Sequence, residues 1–125
     1  MGPLEPGSVV WVAFDEGQGR EQSGLRPAVV VSSMDHLLAT DDLMSVLPAT
    51  TTEKGWPNHV PLRGPTGLER TTFAMTEQTK TVSRTRIVEI SGAVDEECLA
   101  EIMSWVGEWL HLPQRREGPG RFARR

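Results

Sequence analysis

The feature that most limits this chain is a series of short β-branched runs, broken at close intervals by turn formers, with a single helical period near the C-terminal end. Residues 7–14 read Gly-Ser-Val-Val-Trp-Val-Ala-Phe, and residues 28–31 form a continuous apolar run of the kind that a buried strand carries. Residues 43–50, 58–62, 71–75 and 86–90 supply further strand segments. Between two of them lies Arg63-Gly64-Pro65-Thr66-Gly67, strong turn chemistry, and residues 15–25 hold three glycines among polar residues, as a loop does. Pro48 predicts a sheet edge or a bulge, because proline has no N–H to give to a ladder. Residues 34–42 predict at most a short helical turn. Residues 95–112 predict a helix whose buried stripe is Leu99, Ile102, Val106, Trp109 and Leu110, with Asp95, Glu96 and Glu97 in the first turn and Pro113 as its stop. Closely spaced strands followed by one helix predict a mainly β fold, a small barrel with a C-terminal helix.

A chain of 125 residues makes one domain. Its expected limits are 1–112, with residues 113–125 as a basic, disordered tail carrying Arg115, Arg116, Arg121, Arg124 and Arg125 against Glu117. The net charge of −4 argues against a broadly basic nucleic-acid binder, so any phosphate contact must come from a local cluster. Cys98 is the lone cysteine, which excludes an internal disulfide and a cysteine-based zinc cluster; its place on the amphipathic helix predicts core filler. No run of apolar residues is long enough to cross a bilayer, and the expected location is the cytoplasm without membrane contact. His36, His59 and His111 form no visible acid–base pair, and no ligand set has metal spacing, so no cofactor is expected. Trp105 and Trp109 are better read as core than as base-stacking platforms, since their four-residue spacing continues the helical stripe.

Three stretches, in order, carry more. They are Glu21-Gln22-Ser23-Gly24-Leu25-Arg26-Pro27-Ala28-Val29-Val30-Val31-Ser32, then Leu47-Pro48-Ala49-Thr50-Thr51-Thr52-Glu53-Lys54-Gly55-Trp56-Pro57, then Met75-Thr76-Glu77-Gln78-Thr79-Lys80-Thr81-Val82. Together they resemble the PemK/MazF family of toxins from type II toxin–antitoxin systems. The resemblance implies an SH3-like β-barrel, CcdB-like in outline, with a C-terminal helix, and a homodimer with single-stranded RNA in a groove along the subunit interface. It also implies a sequence-specific, metal-independent endoribonuclease (an mRNA interferase) and a cognate antitoxin that fills the groove and joins the toxin in DNA binding.

Residue by residue, the resemblance makes Arg26 the principal catalytic arginine and Thr50 the catalytic threonine. A guanidinium grips a phosphate through two parallel hydrogen bonds, and a hydroxyl can donate to a phosphate oxygen. Glu21 and Glu77 fall where relatives carry an acidic residue, either to accept the 2′-proton or to orient Arg26 by a salt bridge. Lys54 matches a family lysine that contacts phosphate. Thr51, Thr52, Arg20 and Gln78 complete the RNA-contacting edge, with Gln22 and Gln78 orienting loops. Arg20 replaces the histidine of many relatives and Met75 an arginine used in one branch, so the chemistry is expected to follow Arg26 and Thr50. The competing expectation is a non-catalytic binding protein on the same fold, either a topoisomerase poison or a degenerate RNA binder. A peptide-binding SH3 module fits poorly, because the chain lacks the tyrosines of an aromatic groove.

Overall fold

The computed structural model describes residues 3–14 and 24–113. Arg20, Glu21, Gln22, most of the loop at 15–25 and the basic tail from 114 onward lie outside the described residues. Seven strands and two helices follow in order: β1 Ser8–Phe14, β2 Gly24–Val30, α1 Met34–Ala39, β3 Leu43–Thr50, β4 His59–Pro61, β5 Phe73–Met75, β6 Lys80–Ser83, β7 Ile87–Ala93 and α2 Glu96–Trp109. All pairings are antiparallel, in the order β4-β5-β3-β2-β1-β7, with β6 also on β3.

The central strands are apolar on both faces because both faces are covered. Val9, Val29 and Leu47 point to α2 and pack with Cys98, Ile102 and Val106. Their neighbours Val10, Val12, Ala28, Val30, Met44 and Val46 point the other way and meet Leu37 of α1. The period of two therefore feeds two cores from one sheet, which is why residues 28–31 show no polar alternation. Cys98 is fully buried, as core filler should be. Arg84 supports α1 from below: its guanidinium donates to the carbonyls of Leu37, Thr40 and Leu43, where a helix C-terminus welcomes a cation.

Two proline positions shape the sheet. Val31 N–H donates to Ser45 O, so bonded pairs alternate to Val29/Leu47 and would next fall at Pro27/Ala49. Pro27 has no N–H to give, and the β2–β3 pairing stops at Ala28/Pro48. Pro48 is not at an edge, as its residue type alone would suggest. It is buried in the middle of β3, between residues 43–46, which pair with β6, and residues 49–50, which pair with β5. A residue without a donor is tolerated there because the strand is changing partners.

The ends of the sheet, β4 and β7, are joined by a seam of close backbone contacts. Ala93 N–H donates to Pro65 O at 3.0 Å, Asp95 N–H to Arg63 O at 2.9 Å, and Ser91 Oγ to Thr66 O at 2.8 Å. Gly64 and Gly67 take φ of +110° and +77° to make the turn, and Gly92 lies so close that a Cβ there would stand 2.1 Å from Pro65 O.

Helix α2 is capped by the Asp95 carboxylate, which accepts from Cys98 N–H at 2.7 Å. It stops where His111 turns left-handed at φ 58°. Ile102 and Val106 are buried as the stripe requires and Leu99 is half-buried, but Trp109 and Leu110 are exposed; Trp109 Nε1 donates to Thr76 Oγ1 at 3.0 Å, just beyond β5. Trp105 is half-buried against the core and stacks on Trp109, ring centroids 5.8 Å apart. Strand β6 and the 3-10 turn Arg84–Arg86 have no counterpart in the sequence pattern, being short and polar.

Because the seam leaves no room at Gly92, Gly92→Ala is expected to destabilise the fold by about 2 kcal/mol, the ordinary scale of overpacking. Urea unfolding of the two proteins checks this.

Candidate active site

Where β2 and β3 part, an open groove of about 570 Å³ forms. Continuing the Ala28/Pro48 register two residues along each strand sets Arg26 across from Thr50, and both line the groove. Thr51 and Thr52 extend that wall. The opposite wall is Gly67, Leu68, Glu69 and Arg70, held in place by the glycine seam, with Trp11 and Glu89 beside it on β1 and β7. These opposing residues were not visible as a site in the sequence. They come from a turn and from strands distant along the chain, and only the curl of the sheet gathers them.

The Arg26 side chain is half-buried, and its Nε is shielded from solvent with no hydrogen-bond partner among the described residues. A buried guanidinium nitrogen without an acceptor is costly, and such a group is compensated when an anion enters. Thr50 Oγ1 accepts from Thr52 N–H at 3.1 Å, which engages a lone pair and leaves the hydroxyl proton to be given to a ligand.

Glu77, Gln78 and Lys54 do not line this groove. Glu77 instead anchors the start of β4: Asn58 Nδ2 donates to Oε1 at 2.8 Å, and His59 Nε2 stands 3.2 Å from Oε2. Gln78 donates to the same carboxylate at 3.3 Å. Trp56 packs on the buried His59 ring with centroids 4.8 Å apart, and Lys54 Nζ lies 5.0 Å from the Trp56 ring. Nothing in the local sequence pattern brings His59 and Glu77, 18 positions apart, together; the β4/β5 register, which sets His59 opposite Met75, does so.

Among the described residues, no group of three or more His, Cys, Asp or Glu side chains is gathered as metal donors would be. No described helix is long and apolar enough to cross a membrane.

Burial pushes the Glu77 carboxyl up, but its own backbone N–H, His59 and Gln78 together outweigh that and hold it below the usual carboxylate range. A depressed native value means stabilisation that is present above the unfolded carboxylate's titration and lost as pH falls through the native one. Glu77→Gln should therefore cost up to about 1 kcal/mol at neutral pH, given the partial exposure of the pair. The difference from the parent protein should vanish in acid, as denaturant titrations across pH will show.

The model of a family described as PemK-like, MazF-like toxin of type II toxin-antitoxin system matches residues 5–110. The Escherichia coli K12 endoribonuclease toxin MazF is 40% identical over 77 residues, a match that spans 62% of this chain and 66% of that relative. A crystal structure of MazF from Deinococcus radiodurans superposes with a TM-score of 0.73 at 29% identity, covering 87% of this chain and 97% of that one. A MazE-MazF structure from the same organism gives 0.71 at 28%, covering 88% and 97%. With the antiparallel sheet, the C-terminal helix and nearly the whole described sequence matched, the chain belongs to the PemK-like, MazF-like family of type II toxins.

Proposed function

We propose that this protein is the toxin of a type II toxin–antitoxin system, an endoribonuclease that cleaves single-stranded RNA by attack of a 2′-hydroxyl on the adjacent phosphate. The carrying observation is the Arg26 guanidinium, half-buried in a groove beside Thr50 with an Nε that lacks an acceptor among the described residues. The names of the relatives, an endoribonuclease toxin and a MazE-bound MazF, support the same reading.

In this reaction the 2′-oxygen loses its proton and bonds to phosphorus, the P–O5′ bond breaks, and the departing 5′-oxygen takes up a proton. The products are a 2′,3′-cyclic phosphate and a 5′-hydroxyl. Extra negative charge builds on the non-bridging oxygens, and Arg26 neutralises it through paired hydrogen bonds while Thr50 donates a third. An arginine is a poor general base at neutral pH, because its pKa lies above ~12. A carboxylate is the better proton acceptor: Glu21 by the resemblance, with Glu69 and Glu89 lining the same groove. Glu77 positions the β4 end of the site through Asn58 and His59. No step in this scheme calls on a metal ion.

The assembly follows the family. Two copies form the dimer, and an antitoxin segment occupies the groove in the cytoplasm. The curled sheet is an SH3-like barrel, in which the 63–67 turn bridges β4 and β7 in place of direct strand pairing. The domain ends at Leu112, and the arginines beyond Pro113 form its basic tail. A non-catalytic relative would have no reason to keep an arginine and a hydroxyl facing one groove.

Arg26→Ala should lower cleavage of single-stranded RNA in EDTA by at least about 1,000-fold while circular dichroism stays unchanged. Thr50→Val should cost roughly 10- to 100-fold, the scale of one lost hydrogen bond in the transition state. End-group analysis should find cyclic phosphate and 5′-hydroxyl termini. Undiminished cutting by the Arg26 variant would remove the site assignment.

A further inference from the structure

Trp56 is 47% exposed, although it stands on a rigid support. Its carbonyl accepts from His59 N–H at 3.1 Å, and its ring lies on the His59 ring. His59 is itself buried and tied to Glu77, which Asn58 holds from the other side. Three layers of contact thus fix an indole with much of its surface open to solvent. A fixed ring loses little freedom when something stacks on it, which favours binding.

The chemistry around this ring selects its ligand. Lys54 Nζ lies over the indole, 5.0 Å from its centroid, so an incoming base takes that face as the ammonium swings out to the adjoining phosphate. A phosphate beside a flat base is the ligand that uses both, and pairing of aromatic platforms with basic groups is how proteins hold single strands. The position agrees. Thr52 is the last of the three threonines lining the groove, and Trp56 follows four positions later, at most about 14 Å away. An RNA strand gripped at Arg26 and continuing beyond Thr50–Thr52 would have this loop within reach.

We propose that Trp56 is a stacking platform for a base flanking the scissile phosphate, with Lys54 taking the adjoining phosphate. Trp56 is then a determinant of substrate binding outside the reacting centre, and Glu77 its positioning residue through His59. The inference rests on the nuclease reading and names a subsite for it.

The test uses a single-stranded RNA with one cut site and a set of copies, each with one flanking nucleotide made abasic. For the parent protein, one flanking position should raise KM about 10-fold when its base is removed, with kcat little changed, as expected for one lost stack. Trp56→Leu keeps an apolar side chain on His59 but has no π-face; it should raise KM for intact RNA by a similar factor and become insensitive to that abasic position. Trp56→Phe should retain most of the sensitivity, and Lys54→Ala should weaken binding in a way that high salt erases. If Trp56→Leu cuts intact RNA with the parent KM, or stays as sensitive to the abasic position as the parent, the subsite is overturned. Normal RNA kinetics with lost inhibition by the antitoxin would also overturn it, giving the ring to the protein partner. Should the parent protein cut no RNA, the nuclease reading fails by itself, and the same abasic series read as binding affinity decides Trp56 separately.

Discussion

The absence of one backbone donor, at Pro27, governs the shape of the site. The ladder between β2 and β3 needs an N–H at that position and has none, so the strands separate after Ala28/Pro48. On its other edge β3 exchanges β6 for β5, while β2 stays with β1. The groove that opens there is lined by both Arg26 and Thr50.

The seam of glycines completes the enclosure. Positive φ at Gly64 and Gly67 turns the chain after β4 back on itself, and the bare Cα of Gly92 allows Pro65 O to approach. Leu68, Glu69 and Arg70 are thereby delivered to the far wall, across from the threonines. One end of the groove is thus made by missing a hydrogen bond and the other by missing a side chain. Both devices cost stability locally, and two cores on opposite faces of the sheet offset that cost.

Much of this was legible in the letters because the informative residues are chemically extreme. The β-branched runs gave the strands, the Arg63-Gly64-Pro65-Thr66-Gly67 stretch gave the turn, and the period of 3.6 after Asp95 gave the helix. Pro48 predicts an edge or a bulge, because a single sequence does not show that a strand exchanges partners halfway along. The helical period places Trp109 and Leu110 on the core stripe, but periodicity alone does not report that the last turn is left about half exposed. Arg26 and Thr50 were legible as a pair through motif resemblance, whereas Arg70 and Glu89 carry no local signal and join the groove by topology alone. Glu77 was placed with Arg26 by resemblance; its contacts are with Asn58 and His59.

The register across the two prolines also divides the chain into parts with different tolerance for change in length. Residues 33–42 form a connection whose length does not decide which residue faces Arg26, because the facing is set by the strand register. A single residue gained between Arg26 and Ala28, or between Pro48 and Thr50, would turn one of the two side chains to the opposite surface of the sheet. The few positions flanking the prolines are thus locked by counting alone, whatever their chemistry.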